Sequence, residues 1–199
     1  MATKTEIANL ALSWIGANLV TDVDVDDSDE AKLIRLHYDP ALKATLEAQE
    51  WSFAIRRFEP TLDPTPPLYG WGNRFTVPAD IIRVLTCDRT NAQSIVGNAA
   101  YQPEQIDWDF EDGYILTNES VVFARGITDN VNEGDFSPGF VQAFAAKLAV
   151  FVAYPLTQSS TIFTNMGGLY AGMLKEAKTR DGMQGRSKRI RNRTFLRSR

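Results

Sequence analysis

The sequence predicts an α+β protein: an antiparallel helical bundle of two N-terminal and two C-terminal helices, an inserted small antiparallel β module, and an extended basic C-terminal arm. Apolar residues recur at helical spacing in residues 1–51 and again in 137–180. Between them, residues 52–136 lose this period and carry short β-type runs separated by proline and glycine. Residues 181–199 are biased toward arginine and form the arm.

Start signals mark the two N-terminal helices. Thr3 and Glu6 have the spacing of a capping box, in which each side chain bonds the backbone N–H of the other residue. Asp27 and Glu30 have the same spacing and predict a second capping box. Because proline lacks an N–H and clashes with the preceding turn, the second helix is expected to bend at Pro40.

Five short runs predict the strands of the β module. They are FAIRRF, RFTV, IIRVLTC, YILT and VVFARGI. The pair Asp112-Gly113, between Phe110 and Tyr114, is a typical two-residue hairpin turn. A sandwich or partial barrel is therefore expected.

The C-terminal helices begin at Ser137, a favoured cap that is followed by a proline. The third helix is apolar on nearly every face and is expected at the centre of the bundle, ending at Pro155. Its apolar run, 140–156, contains Lys147 and is shorter than the ~20 residues that span a bilayer, so no membrane contact is expected. The fourth helix is expected over about 158–179.

Composition and motifs give little support for catalysis. At 44% hydrophobic and 23% charged residues, the chain is typical of a soluble globular protein with a sizeable core. A single histidine, His37, and a single cysteine, Cys87, exclude an internal disulfide and a cysteine-rich zinc site. Neither a nucleophile elbow nor a phosphate-binding loop occurs. We therefore expect no enzyme, no catalytic or metal-ligating residue and no cofactor.

The net charge of -4 conceals an acidic body and a basic tail. Residues 178–199 hold nine Lys/Arg and one acid, a charge of +8. Of 21 basic and 25 acidic residues in total, twelve basic and 24 acidic remain in 1–177, a charge of -12. Such a tail is typical of contact with phosphates or with an acidic protein surface. Its candidate binding residues are Arg186, Lys188, Arg189, Arg191, Arg193, Arg197 and Arg199.

Six carboxylates lie close together between the first two helices. They are Asp22, Asp24, Asp26, Asp27, Asp29 and Glu30. A calcium loop needs glycine at its sixth position and glutamate at its twelfth, and this segment has neither. Metal binding is therefore not expected here.

Six stretches of the chain resemble, in the same order, the tail tubular protein A family of short-tailed bacteriophages, which are head-to-tail adaptors. They are ALSWIGANLV, YDPALKATLEAQEWSFAIRR, FTVPADIIRVL, YILTNE, VVFARGITD and FSPGFVQAFAAKLAVFVAYPLTQSS. The resemblance covers most of residues 7–160, and its most specific part runs from Tyr38 to Ala54.

This resemblance implies a virion protein made in the cytoplasm of the bacterial host. It implies a homo-oligomeric ring, a dodecamer, beneath the portal protein, extending the channel for genomic DNA to the tail nozzle protein, with tail fibres as further partners. Family members grip the portal with C-terminal segments, so we expect portal contacts from the basic arm. Asp22, Asp24, Asp26, Asp27 and Asp29 are candidate channel-lining acids, because carboxylates repel DNA phosphates.

Three alternatives stay open. A connector of a long-tailed phage would be more uniformly helical than residues 52–131 permit. A DNA-binding protein would use the basic tail for salt-dependent contacts with phosphates. A virion-associated glycan hydrolase would use the carboxylates around Trp108, which are Glu104, Asp107, Asp109, Glu111 and Asp112.

Overall fold

The computed structural model describes residues 2–89 and 105–184 of the chain. Within these ranges two helices precede seven strands and two helices follow them, so the predicted α+β class is confirmed. The helices are α1 Lys4–Ile15, α2 Asp29–Glu47, α3 Pro138–Thr157 and α4 Ser160–Gln184. The strands are β1 Ile55–Phe58, β2 Thr61–Leu62, β3 Asn73–Thr76, β4 Ile81–Asp88, β5 Asp109–Glu111, β6 Tyr114–Thr117 and β7 Phe123–Thr128.

The first of the two predicted capping boxes is confirmed and the second is wrong. The hydroxyl of Thr3 accepts from the Glu6 N–H at 3.2 Å, and the Glu6 carboxylate accepts from the Thr3 N–H at 2.8 Å. α2 is instead capped by Ser28, whose hydroxyl accepts from the Ala31 N–H at 3.3 Å. Serine has the extended backbone that a cap requires, which leaves Asp27 outside the helix.

Trp51 fastens the point at which the chain leaves the helices. α2 continues through Pro40, and the indole of Trp51, wholly buried, follows it. The indole N–H donates to the Thr45 carbonyl at 2.8 Å, and the ring packs edge-on against Phe140 with centroids 5.0 Å apart. A 3-10 turn, Ser52–Ala54, then leads into β1.

α3 begins as predicted but ends later. The Ser137 hydroxyl accepts from the Phe140 N–H at 3.2 Å, with Pro138 in the first turn. The prediction that Pro155 ends α3 is wrong, because the helix continues beyond it. Proline near the end of a helix forfeits only its own hydrogen bond, and the left-handed backbone of Gln158 (φ 51°) ends α3 instead.

α3 is the centre of the helical part. It packs against α1, α2 and α4. By length and composition it can cross a membrane, so the expectation that its apolar run is too short was wrong. Phe140, Phe144 and Leu148 are nevertheless wholly buried among the other helices. Burial on many faces accounts for the apolar composition of such a helix.

α4 runs to Gln184, past the predicted end near residue 179. Met166 and Met173 are partly buried against the helical core and Ala177 is buried. The first residues of the predicted arm are therefore helical.

The strands form two antiparallel sheets with a shared core, as expected for a small sandwich. The first sheet has the order β1-β7-β4 and the second the order β2-β3-β6-β5. The predicted hairpin is confirmed: Asp112 and Gly113 join β5 to β6 with φ of 50° and 80°, the signs of a type I′ turn. Phe75 of the second sheet packs with Cys87 and Ala124 of the first.

The first sheet also faces the helices. Ile127 on β7 is wholly buried in the helical core together with Trp51. Tyr38 of α2 donates its hydroxyl to the Glu133 carboxylate at 3.2 Å, in the 3-10 turn Glu133–Asp135 that precedes α3. The helices and the β module are thus joined by apolar packing and by a polar contact.

Candidate interaction surfaces

The residues weighed for catalysis occupy structural positions. His37 stacks on Phe151 with ring centroids 5.6 Å apart. Burial, with a smaller contribution from the Asp88 carboxylate, raises the pKa of the Cys87 thiol to about 12. A thiol in that state is a poor nucleophile. No group of three or more metal-ligating side chains occurs in the ranges 2–89 and 105–184.

The carboxylates near Trp108 that the structure describes, at 107, 109, 111 and 112, are all exposed. Trp108 packs against the small core between the sheets. Asp107 is exposed, and Asp109, exposed at the edge strand β5, accepts from the Trp71 indole N–H at 3.1 Å. Glu104 lies outside the described residues.

The acidic segment, residues 22–30, joins α1 to α2 and carries the predicted channel-lining acids. Asp22, Asp24, Asp27 and Asp29 are exposed, and Asp26 is half-buried. The Lys4 ammonium pairs with Asp24, and Lys32 pairs with Asp27 at 3.1 Å.

Hydrogen bonds hold the acidic segment in one conformation. The Asp26 carboxylate accepts from the N–H groups of Ser28 and Thr21, and these bonds, that from Ser28 first, lower its pKa. The Asn18 amide donates to Glu30 at 2.9 Å and lowers the pKa of that carboxyl. Arg35 donates to the backbone carbonyls of Val23 and Asp26. The backbone of the segment is therefore held in place on both sides of its exposed carboxylates.

Three arginines, which we call the arginine face, lie on the first sheet: Arg57 on β1, Arg125 on β7 and Arg83 on β4. Arg57 is directly opposite Arg125 in the β1–β7 register, and Arg83 is opposite Ile127, two residues along the same strand from Arg125. Directly opposed residues, and residues two apart on a strand, share one face of a sheet. The three guanidinium groups therefore project from the same side.

Arg83 and Arg125 line a cleft of about 500 Å³ between the first sheet, the end of α2 and the end of α4. Arg83 donates to the Glu47 carbonyl, the last residue of α2, at 3.0 Å. Arg125 pairs with Glu50 at 3.3 Å. Arg57 is exposed and has neither a hydrogen bond nor an ion pair within the described part of the chain.

Asp88, at the end of β4, is a buried carboxylate beside the arginine face. It is 9% exposed, and its Oδ1 has no hydrogen-bond partner among the described residues. Desolvation raises its pKa, and the charges of Arg125 and Arg57 oppose that shift. The negative charge nearest to the arginine face is thus the Asp88 carboxylate, whose ionised form is disfavoured by burial.

Apolar side chains are exposed on the loop between β2 and β3, which we call the proline-rich loop (residues 63–72). Leu68 is 100% exposed and Tyr69 is 87% exposed. The loop is anchored at its base, where Arg74 pairs with Asp63 at 3.2 Å and stacks over Tyr114 at 4.5 Å. Two adjacent large apolar side chains held in water are typical of a contact surface.

The end of α4 lies beside the arginine face. Asp181, near the end of α4, is buried and accepts from the Ser52 hydroxyl at 2.9 Å and from the Ser52 N–H at 3.3 Å. These bonds join the last helix to the start of the β module. The basic residues predicted to bind the portal, from Arg186 to Arg199, lie outside the described residues.

Sequence reasoning missed the arginine face. Its signal was present in FAIRRF, IIRVLTC and VVFARGI, where an arginine takes a place among apolar strand residues. Each run alone predicts only a half-buried strand. The register, which long-range pairing sets, is what brings the three arginines to one face.

Among known proteins, no family model matches this chain, and no curated protein matches it either.

Proposed function

We propose that this chain is a structural head-to-tail adaptor of a short-tailed phage virion, without catalytic activity. In this proposal an antiparallel helical bundle with an inserted β module assembles into a dodecameric ring beneath the portal. The observation that carries the proposal is the correspondence between the adaptor-like stretches and the fold. The most specific stretch, 38–54, runs from α2 through buried Trp51 to the 3-10 turn that leads into β1, which is the junction between the helices and the strands.

The basic arm is proposed to grip the portal. Residues 186–199 contain seven basic residues and no acid. Fourteen residues reach about 45–50 Å when fully extended, which is enough to cross onto a neighbouring protein. Each exposed ion pair contributes only ~0.2–1 kcal/mol, so one arm binds weakly. Arms repeated around a ring bind together with higher avidity.

The β module is proposed to face the tail nozzle and the fibres. Its proline-rich loop holds Leu68 and Tyr69 in solvent at the end of the second sheet, where docking of a partner would bury them. Burial of apolar surface contributes roughly 25 cal/mol per Å².

The acidic body is proposed to suit a channel for DNA. Residues 1–177 carry a charge of -12, and carboxylates facing a lumen repel phosphates so that the genome passes without adhering. The location of this ring is the virion, at the interface between head and tail.

Electron microscopy of the purified chain mixed with the portal of the same phage tests this function. A ring that caps the portal is the expected result, and a chain lacking residues 186–199 should fail to cap it. If both chains cap the portal, the proposed adaptor function stands, and the arm is not the segment that grips the portal. A full-length chain that stays monomeric with the portal would overturn the proposal.

A further inference from the structure

The opposed pair Arg57 and Arg125 is an unfavourable arrangement for an isolated chain. Their register places the two side chains directly across from one another. Like charges in this position destabilise a sheet. Glu50 offsets part of the repulsion by pairing with Arg125 at 3.3 Å, and the buried Asp88 carboxylate attracts both arginines. Arg57 makes no ion pair among the described residues. A bound anion would relieve what remains.

The ligand that this face fits carries carboxylates. Guanidinium groups bind carboxylate and phosphate equally well in geometric terms. The charge around the arginine face favours a carboxylate ligand over a phosphate ligand. Residues 1–177 carry a net charge of -12, and Glu50 and Asp181 line the same cleft. That field repels a continuous phosphate backbone more strongly than it repels a short acidic peptide.

An exposed acidic peptide of the required kind is present on the chain itself. The acidic segment, residues 22–30, carries six carboxylates and ends in the first turn of α2, with Val25 81% exposed among them. The arginine face lies at the other end of α2, where Arg83 donates to the Glu47 carbonyl. α2 rises about 27 Å from its first residue to its last. The two surfaces therefore cannot meet within one chain.

We propose that the arginine face of one subunit binds the acidic segment of the next subunit. The two surfaces differ from each other, so the contact is heterologous, and a heterologous contact closes into a ring when its rotation permits. This inference rests on the proposed ring and names the surfaces that hold it together. It also places Asp22–Asp29 between subunits and assigns the lumen charge to other acids of the body.

Paired charge reversals test the contact. One variant carries Arg57→Glu and Arg125→Glu. The other carries Asp22→Lys, Asp24→Lys, Asp27→Lys and Asp29→Lys, which changes the charge of the acidic segment from -6 to +2. In each variant alone, the arginine face and the acidic segment carry net charges of the same sign. In an equimolar mixture, an alternating ring pairs every acidic surface with a basic one. A chain with Lys175→Glu, at an exposed position of α4 that does not line the cleft, matches the charge change of Arg57→Glu alone.

Ring formation is followed by native mass spectrometry and electron microscopy, with and without the portal. Each variant alone should form rings only at a protein concentration at least about tenfold higher than the wild type needs. The mixture should restore rings, and those rings should contain both variants in equal number. The α4 control should assemble as the wild type does. A misfolded variant cannot be rescued by mixing. Arg57→Glu alone changes an exposed residue that makes no ion pair in the described part of the chain, and it tests the same face.

The remaining outcomes overturn the inference in different ways. Either variant forming rings at the wild-type concentration removes the contact and leaves the adaptor in place. A wild-type chain that forms no ring, with or without the portal, removes both the contact and the proposed function. Rings that persist in Arg57→Glu while salt-dependent binding to duplex DNA is lost would assign the arginine face to phosphates instead.

Discussion

Gly126 on β7 lies where the strands of the first sheet leave no space for a side chain. A Cβ at this position would stand 2.8 Å from the Arg83 carbonyl oxygen and 2.8 Å from the Ile81 Cγ2. The carbonyl belongs to the backbone of β4 and cannot move without disturbing the pairing of the strands. Because Gly126 has no Cβ, the backbone of β4 can approach this closely, and the register shifts along β4 fit opposite this residue.

Gly126→Ala is expected to lower the free energy of unfolding by about 1–3 kcal/mol, because the added methyl group overpacks the sheet. Gly168→Ala on α4 is the matched control, since nothing lies within 4 Å of its Cβ position. That substitution should raise helix stability by up to about 1 kcal/mol. Urea unfolding measures both. Equal effects of the two substitutions would contradict the close approach at Gly126.

Asp88 predicts a pH dependence of a definite sign. Burial raises the pKa of its carboxyl above the unfolded value. Folding therefore favours the protonated form, so its stabilising contribution is present below the unfolded pKa and is lost as pH rises through the folded pKa. Asp88→Asn should accordingly raise the free energy of unfolding by about 1 kcal/mol at neutral pH, where the wild-type carboxylate is a poorly satisfied charge.

Denaturant unfolding at neutral pH and at roughly pH 3, below the ordinary pKa of aspartate, measures this effect. The gain should shrink at acid pH, because the wild-type carboxyl is then protonated as well. Asp107→Asn, at an exposed position, is the control and should change little at either pH. A gain of equal size at both pH values would show that charge is not the cause.

For single elements, the start of α2 offers a comparison between two candidate capping residues, Ser28 and Asp27. Ser28→Ala removes the hydroxyl that accepts from the Ala31 N–H and should cost ~0.5–2 kcal/mol. Asp27→Ala removes only an exposed ion pair with Lys32 and should cost less than about 1 kcal/mol. Thermal unfolding of the two variants checks this order. The reverse order would restore the capping box that the sequence predicted at Asp27.

The contact between α4 and the β module is a second test at this scale. Asp181→Ala removes the acceptor for the Ser52 hydroxyl and N–H and should cost about 1–3 kcal/mol. Ser52→Ala removes the hydroxyl alone and should cost less. In a double-mutant cycle the two substitutions should couple by about 0.5 kcal/mol or more, because they share one hydrogen bond. Strict additivity would mean that the last turn of α4 is not held by Ser52.

Across the whole molecule, features that depend on neighbouring residues could be predicted from the sequence. Features that depend on the pairing of distant strands could not. The caps at Thr3 and Ser137 and the turn at Asp112-Gly113 depend on neighbouring residues, and all three are confirmed. The cap of α2 and the end of α3 were misplaced by one to three residues, since several residues compete at a helix end. The arginine face was missed because it depends on the pairing of β1, β4 and β7.

Electron cryomicroscopy of virions of the phage proposed to encode this chain tests the proposed ring. The account predicts a ring of twelve copies between the portal and the tail nozzle. In that ring the bundle and its arms would lie toward the portal, the β module toward the nozzle, and the acidic segment of each copy against Arg57 and Arg125 of the next. A head-to-tail junction whose density is filled by other chains, with this chain absent or placed elsewhere in the virion, would contradict it.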